Sequence, residues 1–248
     1  MKLPFFVKRS FRIIAHRGAS AYAPENTMSS FQLALDMGIR EIELDTQLSL
    51  DREVVICHGL SLDKYGYDGY VEDMNWNELS VLDMGTWFSP FLFHSEKMLR
   101  LQDLFSKYGK EFTYHIEIKG KSEKLPNYVC KIINDFNFQE NVVITCFSFE
   151  TLQQVKMLAP YLKLGWLIQS IDDDVLFDAQ KLGLFQICPR ANLLNTGSLS
   201  KAHSVVSEVR AWGINGKREE VFELIDTTIS SGCDGTTINW PDWIKHEP

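Results

Sequence analysis

The chain has 248 residues, of which 45% are hydrophobic and 23% charged. That mix is globular and excludes a collagen, a coiled coil and a long disordered chain; a chain of this size buries about 70–75% of its extended surface and needs no disulfide or structural metal to fold. Lys and Arg number 25 against 33 Asp and Glu, a net charge of −8, which argues against bulk binding to a nucleic-acid backbone but leaves room for a small anion in a local pocket.

Leu3 to Val7 is apolar, but Lys8, Arg9 and Arg12 interrupt it, so no signal peptide is expected; no stretch approaches the roughly 18 uncharged residues of a spanning helix. Phe11–Ala15 reads as the first strand and runs into His16-Arg17-Gly18. A helix is predicted over Glu25–Asp36, with Pro24 at its start and Gly38 as its stop. Glu41–Thr46 is a strand, and its period of two puts Glu43 and Asp45 on one face and Ile42 and Leu44 on the other. Val54–Cys57 is a further apolar strand, ending in His58-Gly59. Residues 60–100, rich in Gly, Asp, Tyr and Trp, break the rhythm and read as a small lobe inserted over one end of the fold.

Beyond the lobe, strands alternate with helices. The strands are Tyr114–Ile118, Val142–Phe147, Leu164–Ile168, Phe185–Cys188, Val209–Ile214 and Gly235–Ile238. The helices are Leu101–Tyr108, Leu125–Phe136, Phe149–Leu158, Asp173–Lys181, Ser198–Val206 and Glu219–Ser231. Alternation implies a parallel sheet with crossover connections. About eight such strands in a chain of this length fit a closed (β/α)₈ barrel better than an open sheet. No GxGxxG or Walker A pattern supports a dinucleotide or P-loop site. The five cysteines are scattered and never form a CxxC pair, so they are expected to be reduced core thiols in a cytoplasmic protein.

In a barrel the C-terminal ends of the strands form the catalytic face. His16 and His58 each follow an apolar strand and suit proton transfer there, and the forked donors of Arg17 suit an anion. Taken alone, these three letters read more readily as His16 capping a strand and Arg17 pairing with a surface acid. In Tyr114–Lys119, His115, Glu117 and Lys119 share one face. Glu43, Asp45 and Glu117 then point inward, where unpaired acids repel and require a cation. Three carboxylates make an all-oxygen site for one hard divalent ion, Mg²⁺ or Ca²⁺ with Mn²⁺ also compatible, and not a thiolate or His-rich zinc site. The competing reading of Glu41–Asp45 is a solvent-facing edge strand, and that of Lys119 is a structural ion pair. His115 lies deeper and suits packing or a supporting hydrogen bond; His94, His203 and His246 read as surface residues. Together the two histidines, Arg17, Lys119 and the three acids suit metal-assisted attack on an anionic ester.

These residues sit in runs that resemble the glycerophosphodiester phosphodiesterases: His16-Arg17-Gly18, Ala23-Pro24-Glu25-Asn26-Thr27, Ser30-Phe31-Gln32-Leu33-Ala34, Gly38, Glu43-Leu44-Asp45, His58, Glu117-Ile118-Lys119, Trp212 with Ile214-Asn215, and Gly232-Cys233-Asp234-Gly235 before Pro241-Asp242. The resemblance spans about Phe11 to Trp243. It implies a TIM barrel of the phosphatidylinositol-phosphodiesterase type, a single domain over 1–248. By matching position it puts the metal ligands at Glu43, Asp45 and Glu117, the acid/base pair at His16 and His58, and substrate or phosphate contacts at Arg17, Lys119 and Trp212. The implied reaction, in glycerophospholipid metabolism, is hydrolysis of a glycerophosphodiester to an alcohol and sn-glycerol 3-phosphate, in which the glycerol hydroxyl can attack first to give a cyclic phosphate.

The sequence departs from the family pattern at four places. Gly59 stands where Asp usually follows the second His, Lys64 stands for an Arg, Gly213 for a Thr, and Ile238-Asn239-Trp240 for Thr-Asp-Arg. With Tyr65, Tyr67 and Tyr70, and with Trp87, Phe88, Phe91 and Phe93 of the insertion, they suggest an aromatic mouth for a bulkier alcohol, unless those insertion rings form the lobe's own core. A lysophospholipase D-like activity on lysolipids and a catalytically silent phosphodiester-binding barrel are the alternatives.

Overall fold

The computed structural model describes residues 3–248. In chain order its elements are β1 (Phe5–Val7), β2 (Arg12–His16), α1 (Met28–Asp36), β3 (Glu41–Leu48), β4 (Val54–Ile56), α2 (Trp76–Leu79), β5 (Leu99–Arg100), α3 (Leu101–Tyr108), β6 (Thr113–Ile118), α4 (Leu125–Asp135), β7 (Val142–Cys146), α5 (Phe149–Leu158), β8 (Lys163–Leu167), α6 (Asp173–Leu182), β9 (Gln186–Cys188), α7 (Thr196–Ala202), β10 (Glu208–Ile214), α8 (Arg218–Ser230), β11 (Gly235–Ile238) and β12 (Ile244–His246).

Strands β2, β3, β6, β7, β8, β9, β10 and β11 are all parallel and close into a barrel through the β2–β3 pairing. Period-two alternation explains the closure. Ile13, Ala15, Ile42, Leu44, Ile116 and Ile144 point outward and join the apolar layer under the helices. Phe105 of α3 stacks on Phe138 with ring centroids 4.4 Å apart and packs 4.9 Å from Tyr114 in that layer. The alternate positions point inward and are largely polar. At the N-terminal end Arg12 bonds Glu41 at 2.7 Å and Glu208 at 2.9 Å, and His115 lies 2.9 Å from Glu41. His115 is therefore part of a plug at the barrel's base. Outside the barrel, β1 pairs with β12 in parallel and ties the two ends of the chain together.

Four sequence expectations change. Val54–Cys57 is not a barrel strand: β4 lies antiparallel to the end of β3 and carries β5 on its other edge. β3 is longer than predicted, and its last residues, Thr46 to Leu48, leave the barrel to form this ribbon. The helix expected over Glu25–Asp36 begins only at Met28, because Asn26 has φ 59° and Thr27 is extended and caps Ser30 N–H with its hydroxyl. The helix expected over Ser198–Val206 runs instead over Thr196–Ala202, capped by Asn195. Between β3 and α3 the chain builds a second small core around Val55, Cys57, Leu62, Tyr65, Val71 and Leu79. All five cysteines are buried and free.

Candidate active site

β3 and β6 deliver the three acids, and the C-terminal end of β2 delivers His16. Register pairs His16 with Glu43 and, one inward-facing row further on, Asp45 with Glu117, so two successive rows of the barrel interior carry the four side chains. Glu43, Asp45 and Glu117 are 4%, 0% and 8% exposed, and one oxygen from each lies within 4.8 Å of the others. Arg17 Nε makes an ion-pair contact with Asp45 Oδ2 at 3.0 Å, and Asn26 Nδ2 donates a hydrogen bond to the same oxygen at 2.9 Å. Lys119 Nζ donates to Glu117 Oε1 at 3.0 Å and lies 3.6 Å from Asp45 Oδ1, which has no hydrogen-bond partner. Burial raises Glu43 well above the usual carboxylate range, and the charges of Asp45 and Glu117 push it further. Burial and Asp45 likewise raise Glu117 against the pull of Lys119. Burial works the same way on Asp45, but Arg17, then His58 and Lys119, bring it below its ordinary value. Mutually repelling buried oxygens, one of them unpartnered, fit a hard divalent cation.

Arg17 adopts φ 56° where β2 turns away, which aims its side chain back across the barrel mouth. The turn requires Gly18: its φ is +81°, and a Cβ there would meet Ser30 at 2.5 Å. Glu25 Oε2 accepts from Arg17 Nη1 at 3.0 Å, so the guanidinium is held between Glu25 and Asp45. His16 Nδ1 lies 2.6 Å from Asn239 Oδ1 and its Nε2 3.7 Å from Glu43 Oε2. The amide oxygen as acceptor fixes the proton on Nδ1 and leaves the Nε2 lone pair facing the acids. His58 reaches the same mouth from the loop after β4. Gln47 Nε2 anchors that loop by donating to Cys57 O at 2.8 Å and Gly59 O at 2.7 Å. His16, Arg17, Glu43, His58, Glu117 and Lys119 line one cavity of about 200 Å³, whose other wall is Phe147, Leu167, Trp212 and Ile214. Trp212 donates Nε1–H to Ile168 O at 2.9 Å and meets Phe147 edge-on at 5.1 Å.

Residues 16–243 match the sequence profile of the family described as the glycerophosphoryl diester phosphodiesterase family. The chain belongs to that family. Bacillus subtilis YhdW is 31% identical over 249 residues, covering 95% of this chain and 98% of that one. A glycerophosphodiester phosphodiesterase of Caldanaerobacter subterraneus is 39% identical over 166 residues, 63% of this chain and 66% of the relative. The fold matches an Oleispira antarctica phosphodiesterase, solved in complex with the product sn-glycerol-3-phosphate, with a TM-score of 0.79 at 24% identity over 93% of this chain and 94% of that one.

This glycerophosphodiester phosphodiesterase-family chain absorbs its departures in specific ways. Lys64 Nζ pairs with Glu25 Oε1 at 2.7 Å and lies 3.8 Å over the Trp87 ring, so the lobe holds the far side of the carboxylate that holds Arg17. Gly213 takes φ +81° at the bulge where β10 shifts register against β11. Asn239 orients His16. The insertion rings do not line the cavity: Trp87 and Phe88 meet edge-on at 5.6 Å, Phe88 and Phe93 at 5.6 Å, and Phe91 is 88% exposed. The cavity's aromatic wall is Phe147 with Trp212.

Asn239, Gln47, Glu25, Phe147 and Arg210 were not anticipated as site residues. Arg210 had a signal, since Glu208, Arg210 and Trp212 share a strand face. Gln47, Glu25 and Asn239 act through contacts with residues distant in sequence.

Burial, reinforced by Arg17, lowers His16 from 6.5 to about 3. Burial lowers His58 to about 4, with Arg17 and Lys119 adding to it and Asp45 opposing. An unfolded imidazole titrates near 6.5, so below that pH the unfolded chain binds more protons and the folded state loses stability as pH falls toward 4. His16 is open to the cavity on one side, 31% exposed, so screening limits its share to about 1–2 kcal/mol between roughly pH 6.5 and 4.5. Urea unfolding with chelator across that range is expected to show this share as the difference between the native chain and His16→Asn, since His58 and the raised Glu43 and Glu117 act in both.

Proposed function

We propose that the chain is a divalent-metal-dependent glycerophosphodiester phosphodiesterase that releases an alcohol and sn-glycerol 3-phosphate. The observation carrying this reading is the convergence of three buried carboxylates, two imidazoles, Arg17 and Lys119 on one cavity at the catalytic end of the barrel. Glu43, Asp45 and Glu117 would hold the cation, Mg²⁺ or Ca²⁺ with Mn²⁺ acceptable, which supplies polarisation of the phosphoryl oxygens when bound. Arg17 and Lys119 hold the phosphate by charge and direction. His16 Nε2, with its proton fixed on Nδ1 by Asn239, takes the proton of the attacking hydroxyl. His58 returns a proton to the leaving alcohol oxygen; a bound phosphodiester anion favours its charged form against burial. Trp212 and Phe147 close the wall against the glycerol carbons. The attacking hydroxyl is that of the glycerol itself, and water then opens the cyclic phosphate.

The enzyme would serve glycerophospholipid turnover as one domain in the cytoplasm. Five free buried thiols favour a reducing compartment, and among the described residues no helix is long and apolar enough to cross a membrane.

Product analysis tests the assignment. Glycerophosphocholine and glycerophosphoethanolamine should each yield sn-glycerol 3-phosphate with Mg²⁺ or Ca²⁺ and none with EDTA, with a transient cyclic phosphate by ³¹P NMR. Faster release from lysophosphatidylcholine would assign the lysolipid activity instead, and saturable binding without product would make the barrel a binding protein.

A further inference from the structure

At the barrel's base Arg12 is shared by Glu41 and Glu208; above that plug two acids have a cation side chain in contact, and one acid and one cation do not. Asp45 is matched by Arg17 at 3.0 Å and Glu117 by Lys119 at 3.0 Å. Glu43 touches no lysine or arginine side chain among the described residues; its ion-pair contact is the neutral-leaning His16 ring at 3.7 Å. The leftover cation is Arg210. It is 2% exposed, projects from β10 into the barrel and belongs to the cavity wall. Among the described residues its guanidinium bonds only neutral groups, the Thr237 hydroxyl and Cys188 Sγ at 3.3 Å, and its Nε has no partner. A guanidinium stays charged at any pH the fold survives, so burying it without a carboxylate in contact demands a counter-charge nearby. Arg210 and Glu43 line the same cavity, and the charges of Arg17 and then Arg210 oppose the burial and the repulsion from Asp45 and Glu117 that raise Glu43.

We propose that Arg210 is a positioning residue of the acidic cluster: a fixed counter-charge of Glu43 beside that of Arg17, which stabilises the three carboxylates before a cation arrives and weakens the cation's hold once it is there. The second half rests on the metal reading of the cluster; the first does not. Arg210 touches neither the acids nor the cavity's reacting groups directly, so it acts through the charge of Glu43 and not as a catalytic residue.

A double-mutant cycle on the full chain in EDTA separates charge from packing. Arg210→Met should lower Tm by about 5–10 °C in the native background and by less than half of that in the Glu43→Gln background, while Arg210→Lys keeps most of the native Tm. If Arg210→Met alone fails to fold, recovery of a cooperative melt by adding Glu43→Gln supports the proposal, and failure of both overturns it. Mg²⁺ and Ca²⁺ titration calorimetry is the second readout. Removing one positive charge beside the cluster should tighten the cation about tenfold in Arg210→Met, so that saturating cation returns most of the lost Tm. Equal Tm losses in the two backgrounds, or a cation affinity unmoved by Arg210→Met, overturn the proposal. If the native chain takes up neither cation, the metal reading falls and the EDTA cycle alone decides Arg210.

Discussion

Replacing His16 with alanine is expected to lower kcat on glycerophosphocholine by about 10²–10⁴-fold, the ordinary worth of a positioned general base, with the native melt retained. The ring is the one imidazole in the cavity whose tautomer is set by a neighbour, Asn239 Oδ1 at 2.6 Å, and whose free nitrogen faces the acids. Asn239→Ala should give a smaller loss, because the ring remains and only its preferred tautomer and aim are lost. His58→Ala should fall as far as His16→Ala on choline esters, yet recover most of its rate on a p-nitrophenyl diester, whose leaving oxygen needs no proton. His16→Ala should not recover on that substrate. Steady-state kinetics with the two diesters check both assignments, and an undiminished rate in either alanine variant removes that histidine from the mechanism.

The second large effect is expected at Asp45. It is wholly buried and is contacted by Arg17, Lys119 and Asn26. Asp45→Ala removes a proposed cation ligand and leaves two cations without their shared anion. Breaking such a buried pair from one side costs about 3–5 kcal/mol. Activity should fall to the level of the EDTA-treated native protein, and denaturant unfolding should show the stability loss with cation absent. Glu117→Gln keeps the Asp45 pairs, so it should lose cation affinity in calorimetry with a smaller change in stability. An Asp45→Ala variant that still binds Mg²⁺ or Ca²⁺ with native affinity would place the cation elsewhere.

Much of the barrel was legible in the sequence because it rests on local repetition. Alternation along Glu41–Asp45 and Tyr114–Lys119 separates an apolar face from a charged one, and no other residue pattern is needed to send Glu43, Asp45, Glu117 and Lys119 inward once the apolar faces pack on helices. The His16-Arg17-Gly18 turn was equally readable, since a strand followed by a glycine with positive φ ends there whatever surrounds it. The short apolar run Val54–Cys57 looked like any barrel strand; only its antiparallel pairing with the end of β3 places it in the lobe's ribbon. The same ribbon, pinned by Gln47, is what carries His58 to the cavity.

Aromatic residues misled for a related reason. Trp87, Phe88 and Phe93 have no period that distinguishes a cavity lining from a small core, and their mutual edge contacts satisfy them within the lobe. Phe147 carried no family signal in the sequence, yet pairs with Trp212 across the barrel mouth.

The sequence by itself determined the strand faces, the alternation that demands a parallel barrel and the identity of the acids, histidines and cations that share its open end. Tertiary structure alone decided which groups meet: Arg17 with Asp45, Lys119 with Glu117, Asn239 with His16, and Arg210 with Thr237 and Cys188 rather than with a carboxylate. Side-chain facing follows from a period of two along one strand. Charge pairing depends on the stagger of strands closed over the whole chain, and that stagger is set by packing between residues far apart in sequence.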